Sequence, residues 1–453
     1  MRKIFGTDGI RCIVNQEPMT AESCLQIAKT TGYLLSNNKN IKQRVVISKD
    51  TRLSGYLFEP LLTAGFISMG MDVILVGPLP TPALPMLIKS LRADMGVMIT
   101  ASHNTFEYNG LKFFDSEGFK INKDLEYKIE NIVSDIKKYK KIINLSYESG
   151  KAIRLEDAQG RYSEYLKSTL ENKSSFQKIK VVLDCANGAT YNIAPRLFWE
   201  IGCNVVTINN NPNGKNINQN CGAVNTKKLS KKVISEKADI GFAFDGDGDR
   251  LIAVDEKGKE INGDKLMALF AKNYVKTKKL KKNTVVSTVM SNLGFEKYLQ
   301  NNLGIKLIRV DVGDFNVISK MQKNRYNLGG EQSGHIILGN YMSTGDGILT
   351  ALQIIEIFAN EKIKASRLFD LYKSYPQIQT NIKINKKISR NVESDIKKIR
   401  VTFSKKYKNF RILIRKSGTE PLYRVLVEGI SSKNCSIISK KIVNNIKKNI
   451  DAS

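Results

Sequence analysis

At 453 residues the chain is too long for a single core; with domains of about 100–200 residues, three or four are expected. A hydrophobic content of 42% with 25% charged residues excludes a disordered chain. The net charge of +29 raises nucleic-acid binding, but the lysines are scattered in pairs such as Lys137-Lys138, Lys227-Lys228, Lys281-Lys282 and Lys447-Lys448; with no arginine-rich block or helix-turn-helix signature, the charge reads as a solvated surface that favours anionic substrates and no dedicated nucleic-acid partner is expected.

The N-terminus, Met1-Arg2-Lys3-Ile4-Phe5-Gly6-Thr7-Asp8, has no apolar stretch after its two positive charges, so a signal peptide is not expected. No apolar run approaches the ~20 residues of a membrane span, and the expected location is the cytoplasm. Strand-like runs Val45–Ser48, Val73–Val76 and Val97–Ile99 alternate with helical spacing over 21–35 and 55–69, and Leu125, Ile129, Ile132, Val133 and Ile136 mark one amphipathic face. The pattern restarts with Val181–Leu183, Val205–Ile208 and Ile240–Phe244, and again with Val285–Ser287 and Leu307–Val310. The last segment reads instead as two strands, 410–415 and 423–428, followed by a helix with Ile438, Ile442, Val443, Ile446 and Ile450 on one side and Ser432 as its N-cap. The expected fold is therefore α/β: three successive α/β domains of similar architecture with mixed sheets, plus a smaller C-terminal α+β domain. The expected boundaries are 1–152, 153–256, 257–370 and 371–453. The six cysteines, Cys12, Cys24, Cys185, Cys203, Cys221 and Cys435, form no C-x-x-C pair and fit neither a zinc site nor a disulfide framework.

Four segments carry chemistry. Thr100-Ala101-Ser102-His103-Asn104 follows the strand ending at Ile99, where a serine would be exposed and held in place, as a nucleophile requires. Alone it is equally a turn serine beside a polar histidine; the chain has only one other histidine, His335, and both lie in polar segments. Asp245-Gly246-Asp247-Gly248-Asp249-Arg250 puts three carboxylates on one side of an extended segment, where they would repel one another without a cation. Hard oxygens point to Mg²⁺. A calcium EF-hand matches in part, through Glu256 at the twelfth position, but fails because Arg250 replaces the sixth-position glycine. Gly330-Glu331-Gln332-Ser333-Gly334-His335 offers a carboxylate, a hydroxyl and an imidazole, which suits sugar hydroxyls. Arg415-Lys416-Ser417-Gly418-Thr419-Glu420-Pro421 joins cations, hydroxyls and backbone N–H groups in a phosphate cradle. By itself that loop is as well explained as a hairpin turn. The order nucleophile, metal, sugar, phosphate suits phosphoryl transfer to a sugar.

Together with Phe5–Arg11 and Asn109–Phe114, these segments make the chain resemble the α-D-phosphohexomutase superfamily over its whole length, and most closely its glucosamine-phosphate branch. The resemblance implies domains around a central cleft and a phosphoserine at Ser102 that completes the coordination of one Mg²⁺ held by Asp245, Asp247 and Asp249. It implies interconversion of glucosamine 6-phosphate and glucosamine 1-phosphate through a bisphosphorylated hexosamine, for UDP-N-acetylglucosamine synthesis, with glucose or mannose phosphates as the alternative substrates. Arg11, Lys112 and Arg250 match positions near the phosphoserine, Lys112 as the group for proton transfer or charge stabilisation, and His103 adjoins it. Glu331 and Ser333 match sugar-hydroxyl ligands, with His335 orienting substrate or assisting acid–base work. Arg415, Ser417, Gly418 and Thr419 match the site for the non-reacting phosphate. The expected partner is a small-molecule sugar phosphate, with no membrane; a homodimer is left open. The chain departs from the family pattern at Cys12 (usually glycine), Thr105 (proline), Tyr108 (aspartate) and Phe315 (arginine). The first three bear on loop rigidity and rate, and Phe315 on the surroundings of the third domain's substrate loop.

Overall fold

The computed structural model describes residues 3–36, 42–143, 148–171, 176–383, 390–416 and 422–451. The chain divides into two compact units, Met1–Val289 with Ile308–Asp370, and Met290–Leu307 with Leu371–Ser453.

The first unit is built on three mixed sheets. The six-stranded sheet has the order Ile10–Ile13, Tyr108–Asp115, Met95–Ile99, Arg44–Lys49, Asp72–Pro78, Ala152–Arg154. Its central strands are parallel and buried on both faces, which is why Val45–Ser48 and Val97–Ile99 read as unbroken apolar runs. The expected boundary at 152/153 falls inside the last of these strands, so this sheet ends at Arg154. The second sheet runs Glu260–Ile261, Leu251–Asp255, Ile240–Phe244, Lys180–Asp184, Asn204–Ile208, and the third Lys306–Val310, Thr284–Thr288, Leu328–Gly330, Ile336–Leu338.

The same local device recurs in each sheet. Met95–Ile99 is followed by a loop and an antiparallel return strand, Tyr108–Asp115. Ile240–Phe244 returns as Leu251–Asp255, and Leu328–Gly330 as Ile336–Leu338. In the second unit Arg411–Lys416 returns as Leu422–Glu428. All four chemical motifs thus sit where a strand reverses. These return strands were not expected in the first three domains, where periodicity suggested βα units.

The second unit has a three-stranded antiparallel sheet, order Gln377–Lys383, Leu422–Glu428, Arg411–Lys416, covered by the helices Arg390–Lys406 and Ser432–Asp451. The cap of the last helix is Ser431 and not Ser432: its Oγ accepts from Asn434 N at 3.3 Å. The amphipathic face expected from Leu125 to Ile136 is two helices, Lys123–Val133 and Ile136–Ile143. Asp135 Oδ1 accepts from the N–H groups of Lys137 and Lys138 and starts the second helix, leaving Ile136 59% exposed. Among the described residues no helix is long and apolar enough to cross a membrane.

Candidate active site

Ser102 was expected to be exposed, and it is not: its residue is 1% accessible. Its Oγ donates to Asp245 Oδ2 at 2.9 Å, so the neighbouring loop of the second sheet covers it. His103 Nδ1 lies 3.4 Å from the same Oγ. Burial, reinforced by Arg250 and Arg11, pushes the His103 imidazole down to about 3, which keeps the ring neutral at ordinary pH.

The three aspartates are buried together, and one carboxylate oxygen of each lies within 4.8 Å of the other two. Gly246 allows this approach. A Cβ there would stand 2.6 Å from Ser102 O and 2.6 Å from Asn218 Nδ2. Lys112, wholly buried on the return strand Tyr108–Asp115, puts its ammonium 2.9 Å from Asp247 Oδ2 and 3.0 Å from Asp249 Oδ2. That arrangement leaves Asp247 Oδ1 buried with no hydrogen-bond partner among the described residues. Among the described residues, Asp249 Oδ1 has His335 Nδ1 at 3.6 Å and Arg250 Nε at 3.9 Å. Three converging buried carboxylates, with Asp247 Oδ1 left without a donor among the described residues, fit a hard divalent cation.

The electrostatics agree with that reading. Burial pushes the Asp245 carboxyl well up, and Asp249 and Asp247 add to the effect, a mutual repulsion that a cation would relieve. Burial also opposes the charge on Asp249, but Lys112, His335 and Arg250 hold it well below the carboxylate range. For Lys112, burial is outweighed by Asp247, Asp249 and Asp8, which hold its ammonium charged.

Arg11 Nη1 lies 3.3 Å from Asn104 Oδ1, and its Nη2 pairs with Asp8 Oδ2 at 2.8 Å. From the third sheet, His335 is buried between carboxylates. Its Nε2 accepts from Gly345 N at 3.1 Å, and Gly345 is required there because a Cβ would meet the ring at 2.6 Å. Glu331 is buried, its Oε1 accepting from Gly313 N at 3.2 Å, whereas Ser333 is exposed. The turn between Leu328–Gly330 and Ile336–Leu338 therefore brings His335 to the aspartates. In the second unit Arg415 is half-buried on Arg411–Lys416 opposite Arg424; Ser417, Gly418 and Thr419 lie outside the described residues.

Sequence reasoning missed several participants. Asp8, inside the Phe5–Arg11 segment, pairs with Arg11, Lys112 at 3.3 Å and Lys120. Lys120 also pairs with Asp314 of the third domain. Thr81 Oγ1 donates to Asp247 Oδ2 at 2.5 Å. Arg52 and Asp50 surround the Ser102 loop from behind. The available signal was weak: Asp50-Thr51-Arg52 follows the apolar strand Arg44–Lys49 with charge where a strand has just ended.

Comparison with known proteins agrees with this arrangement. The family models "Phosphoglucomutase/phosphomannomutase, alpha/beta/alpha domain" I, II and III match residues 2–140, 160–258 and 262–375, and the C-terminal domain model matches 379–444. A phosphoglucosamine mutase of Thermodesulfovibrio yellowstonii is 49% identical over 429 residues, 94% of this chain and 95% of the relative. One of Desulfotalea psychrophila is 46% identical over 456 residues, 99% of each. Among solved structures, a phosphoglucomutase/phosphomannomutase family protein of Burkholderia thailandensis shares the fold at a TM-score of 0.84 and 23% identity, covering 99% of this chain and 97% of that one. An N-acetylphosphoglucosamine mutase of Aspergillus fumigatus, solved with GlcNAc-6P and magnesium, shares it at 0.65 and 18%, covering 98% and 95%. The chain belongs to the phosphohexomutase superfamily and, within it, to the phosphoglucosamine mutase family.

Proposed function

We propose that this chain interconverts glucosamine 6-phosphate and glucosamine 1-phosphate, with Ser102 carrying the phosphoryl group between turnovers. The observation that carries the proposal is the buried contact of Ser102 Oγ with Asp245, inside a triad whose other two carboxylates pair with Lys112. The 43–49% identity to curated phosphoglucosamine mutases supports the choice of sugar. In this reading the segments 1–152, 153–256, 257–370 and 371–453 supply phosphoserine, metal, sugar and phosphate loops, and the enzyme works in the cytoplasm.

Asp245, Asp247 and Asp249 would hold one Mg²⁺, which when bound would offset charge on the phosphoryl oxygens. In the first half-reaction the bond between phosphorus and Ser102 Oγ breaks while a bond forms to the free hydroxyl of the hexosamine phosphate. That hydroxyl gives its proton to the neutral His103, which passes it to the departing Ser102 Oγ, and a bisphosphorylated hexosamine results. The sugar then turns in the site and returns its other phosphate to Ser102. The cationic Lys112, Arg11 and Arg250 stabilise the transferring group. Lys112, held charged, serves as electrostatic partner, and on the return step the Ser102 hydroxyl proton passes through His103 to the departing sugar oxygen. His103, neutral, supplies a lone pair or N–H beside Oγ. Glu331 and Ser333 take the sugar hydroxyls, His335 orients substrate through the aspartates it packs against, and Arg415 with Ser417, Gly418 and Thr419 takes the non-reacting phosphate.

Intact-mass analysis tests the carrier: the purified protein should show a fractional gain of one phosphate that maps to Ser102, and Ser102→Ala should abolish turnover with the fold retained. Full activity in that variant would sink the mechanism. Turnover on glucosamine, glucose and mannose phosphates, measured side by side, tests the sugar; a preference for mannose would overturn it.

A further inference from the structure

Ser102 has a φ of 51°, in the left-handed region that a residue with a side chain adopts only when its surroundings impose it. The segment from Thr100 to Tyr108 contains no proline to fix its shape. What holds it is Arg52, whose side chain is wholly buried behind the loop. Its Nη2 donates to the carbonyls of Ser102 at 2.9 Å and Asn104 at 2.8 Å. Its Nη1 donates to the carbonyl of Tyr108 at 3.1 Å and to that of Thr105. Its Nε donates to Asp50 Oδ2 at 2.9 Å, and the same oxygen accepts the Thr100 hydroxyl at 2.6 Å. The Thr100 oxygen then accepts from Ser102 N at 2.8 Å, closing the circuit on the serine. From the second domain, Asn218 Nδ2 donates to the Ser102 and Asn104 carbonyls, each at 2.8 Å.

We propose that Arg52, braced by Asp50 and seconded by Asn218, is a positioning residue that fixes Ser102 in its left-handed conformation and aims Oγ at the aspartate triad. The inference rests on the reading of Ser102 as phosphoryl carrier. The chemistry explains the residue type. Only a guanidinium spreads five donors over a plane and can serve four carbonyls and a carboxylate together, whereas a lysine has three donors on one atom. A carbonyl occupied by Arg52 is also unavailable to swing toward the phosphoryl group and repel it. Arg52 touches neither the triad nor Oγ, so its effect passes through the loop.

The test is Arg52→Lys, which keeps the buried positive charge beside Asp50 and removes the fork. Steady-state kinetics are read per folded enzyme, with hydrogen exchange of residues 100–108 measured alongside. The expected result is a loss in kcat of about 100-fold with KM within about threefold, since a small displacement of a reacting atom acts on the chemical step. Exchange in 100–108 should quicken while the remaining sheet keeps its protection. A kcat within about threefold of the parent, a loss confined to KM, or unchanged exchange would overturn the proposal. Should Arg52→Lys not fold, Asn218→Ala removes two further bonds to the same Ser102 and Asn104 carbonyls from the other side; it should lower kcat about 10-fold with the same change in exchange, and no change in either would count against the idea. The kinetic ratio is taken on whichever hexose phosphate the parent turns over, so an error about the sugar is told apart from an error about Arg52. If the parent turns over none, the mutase reading fails and the exchange measurement alone decides whether Arg52 holds the loop.

Discussion

Replacing Lys112 by methionine separates an electrostatic role in the reaction from a role in holding the triad. The side chain keeps its length and apolar stem but loses an ammonium 2.9, 3.0 and 3.3 Å from Asp247, Asp249 and Asp8. Breaking a buried ion pair from one side costs about 3–5 kcal/mol, so a drop in melting temperature is expected. The sharper expectation concerns metal. For an ion held by Asp247 and Asp249 at roughly 5 Å from Nζ, its two charges repel the ammonium by about 1.7 kcal/mol in a water-like dielectric and about 7 kcal/mol at an effective dielectric of 20. Even the lower figure makes Lys112→Met bind a divalent cation at least ~10-fold more tightly. Turnover should nonetheless fall by about 100-fold or more, because a fixed cation facing the transferring group is lost. Calorimetric titration with Mg²⁺ or Mn²⁺ at pH 8, where Asp249 remains ionised, reads the first effect and coupled turnover the second. If metal affinity falls together with activity, Lys112 organises the triad and the electrostatic argument is wrong.

Two further outcomes follow from single contacts. Gly246→Ala places a methyl group 2.6 Å from Ser102 O and Asn218 Nδ2, so the serine loop must retreat and kcat should fall about 100-fold while circular dichroism stays that of the parent; unchanged kcat would show the loop free to yield. Asp346, the buried cap of Gly347–Glu361, has its carboxyl pushed by burial up to about 6 from 3.8. A raised carboxyl contributes stability that is present below the unfolded value and is lost as pH rises from about 4 through 6, so its ionisation costs up to about 3 kcal/mol at pH 7. Asp346→Asn can still cap the helix and should raise the melting temperature at pH 7 relative to its value at pH 4, compared with the parent; no pH-dependent difference would refute this account.

The parts of the site that were legible in the sequence are those fixed by local spacing. Asp245, Asp247 and Asp249 lie within five positions of one another, and the glycines between them announce close approach. The central strands were legible because burial on both faces leaves an unbroken apolar run. Ser102 could be located but its environment could not: the oxygen that covers it belongs to Asp245, 143 residues away. The return strand Tyr108–Asp115 has Asn109, Gly110 and Lys112 at buried positions, so neither an apolar run nor alternation marks it. Lys112 is inside because three carboxylates from two other segments meet it there, and no local pattern encodes that. Arg52 was invisible for the same reason, since its partners are backbone carbonyls that have no sequence signature.

The charges around Ser102 bind the metal and the phosphoryl group to one another. Apart from the His335 imidazole, the ion-pair network contains five carboxylates (Asp8, Asp245, Asp247, Asp249 and Asp314) and four cations (Arg11, Lys112, Lys120 and Arg250), leaving 4 − 5 = −1. A divalent cation alone would carry the buried network to +1, and a phosphoryl dianion alone to −3. Both together return it to −1, the starting balance. In a site this dry, the two should therefore favour each other, and linkage makes the effect reciprocal. Phosphorylated enzyme should bind Mg²⁺ more tightly than Ser102→Ala, by a factor in the range of about 5–150 that typifies such couplings. Excess Mg²⁺ should equally retard loss of phosphate from Ser102, followed by intact mass. Equal metal affinity in the two forms would mean that the charges are screened from one another, and the assignment of Ser102 to the metal's coordination would have to be abandoned.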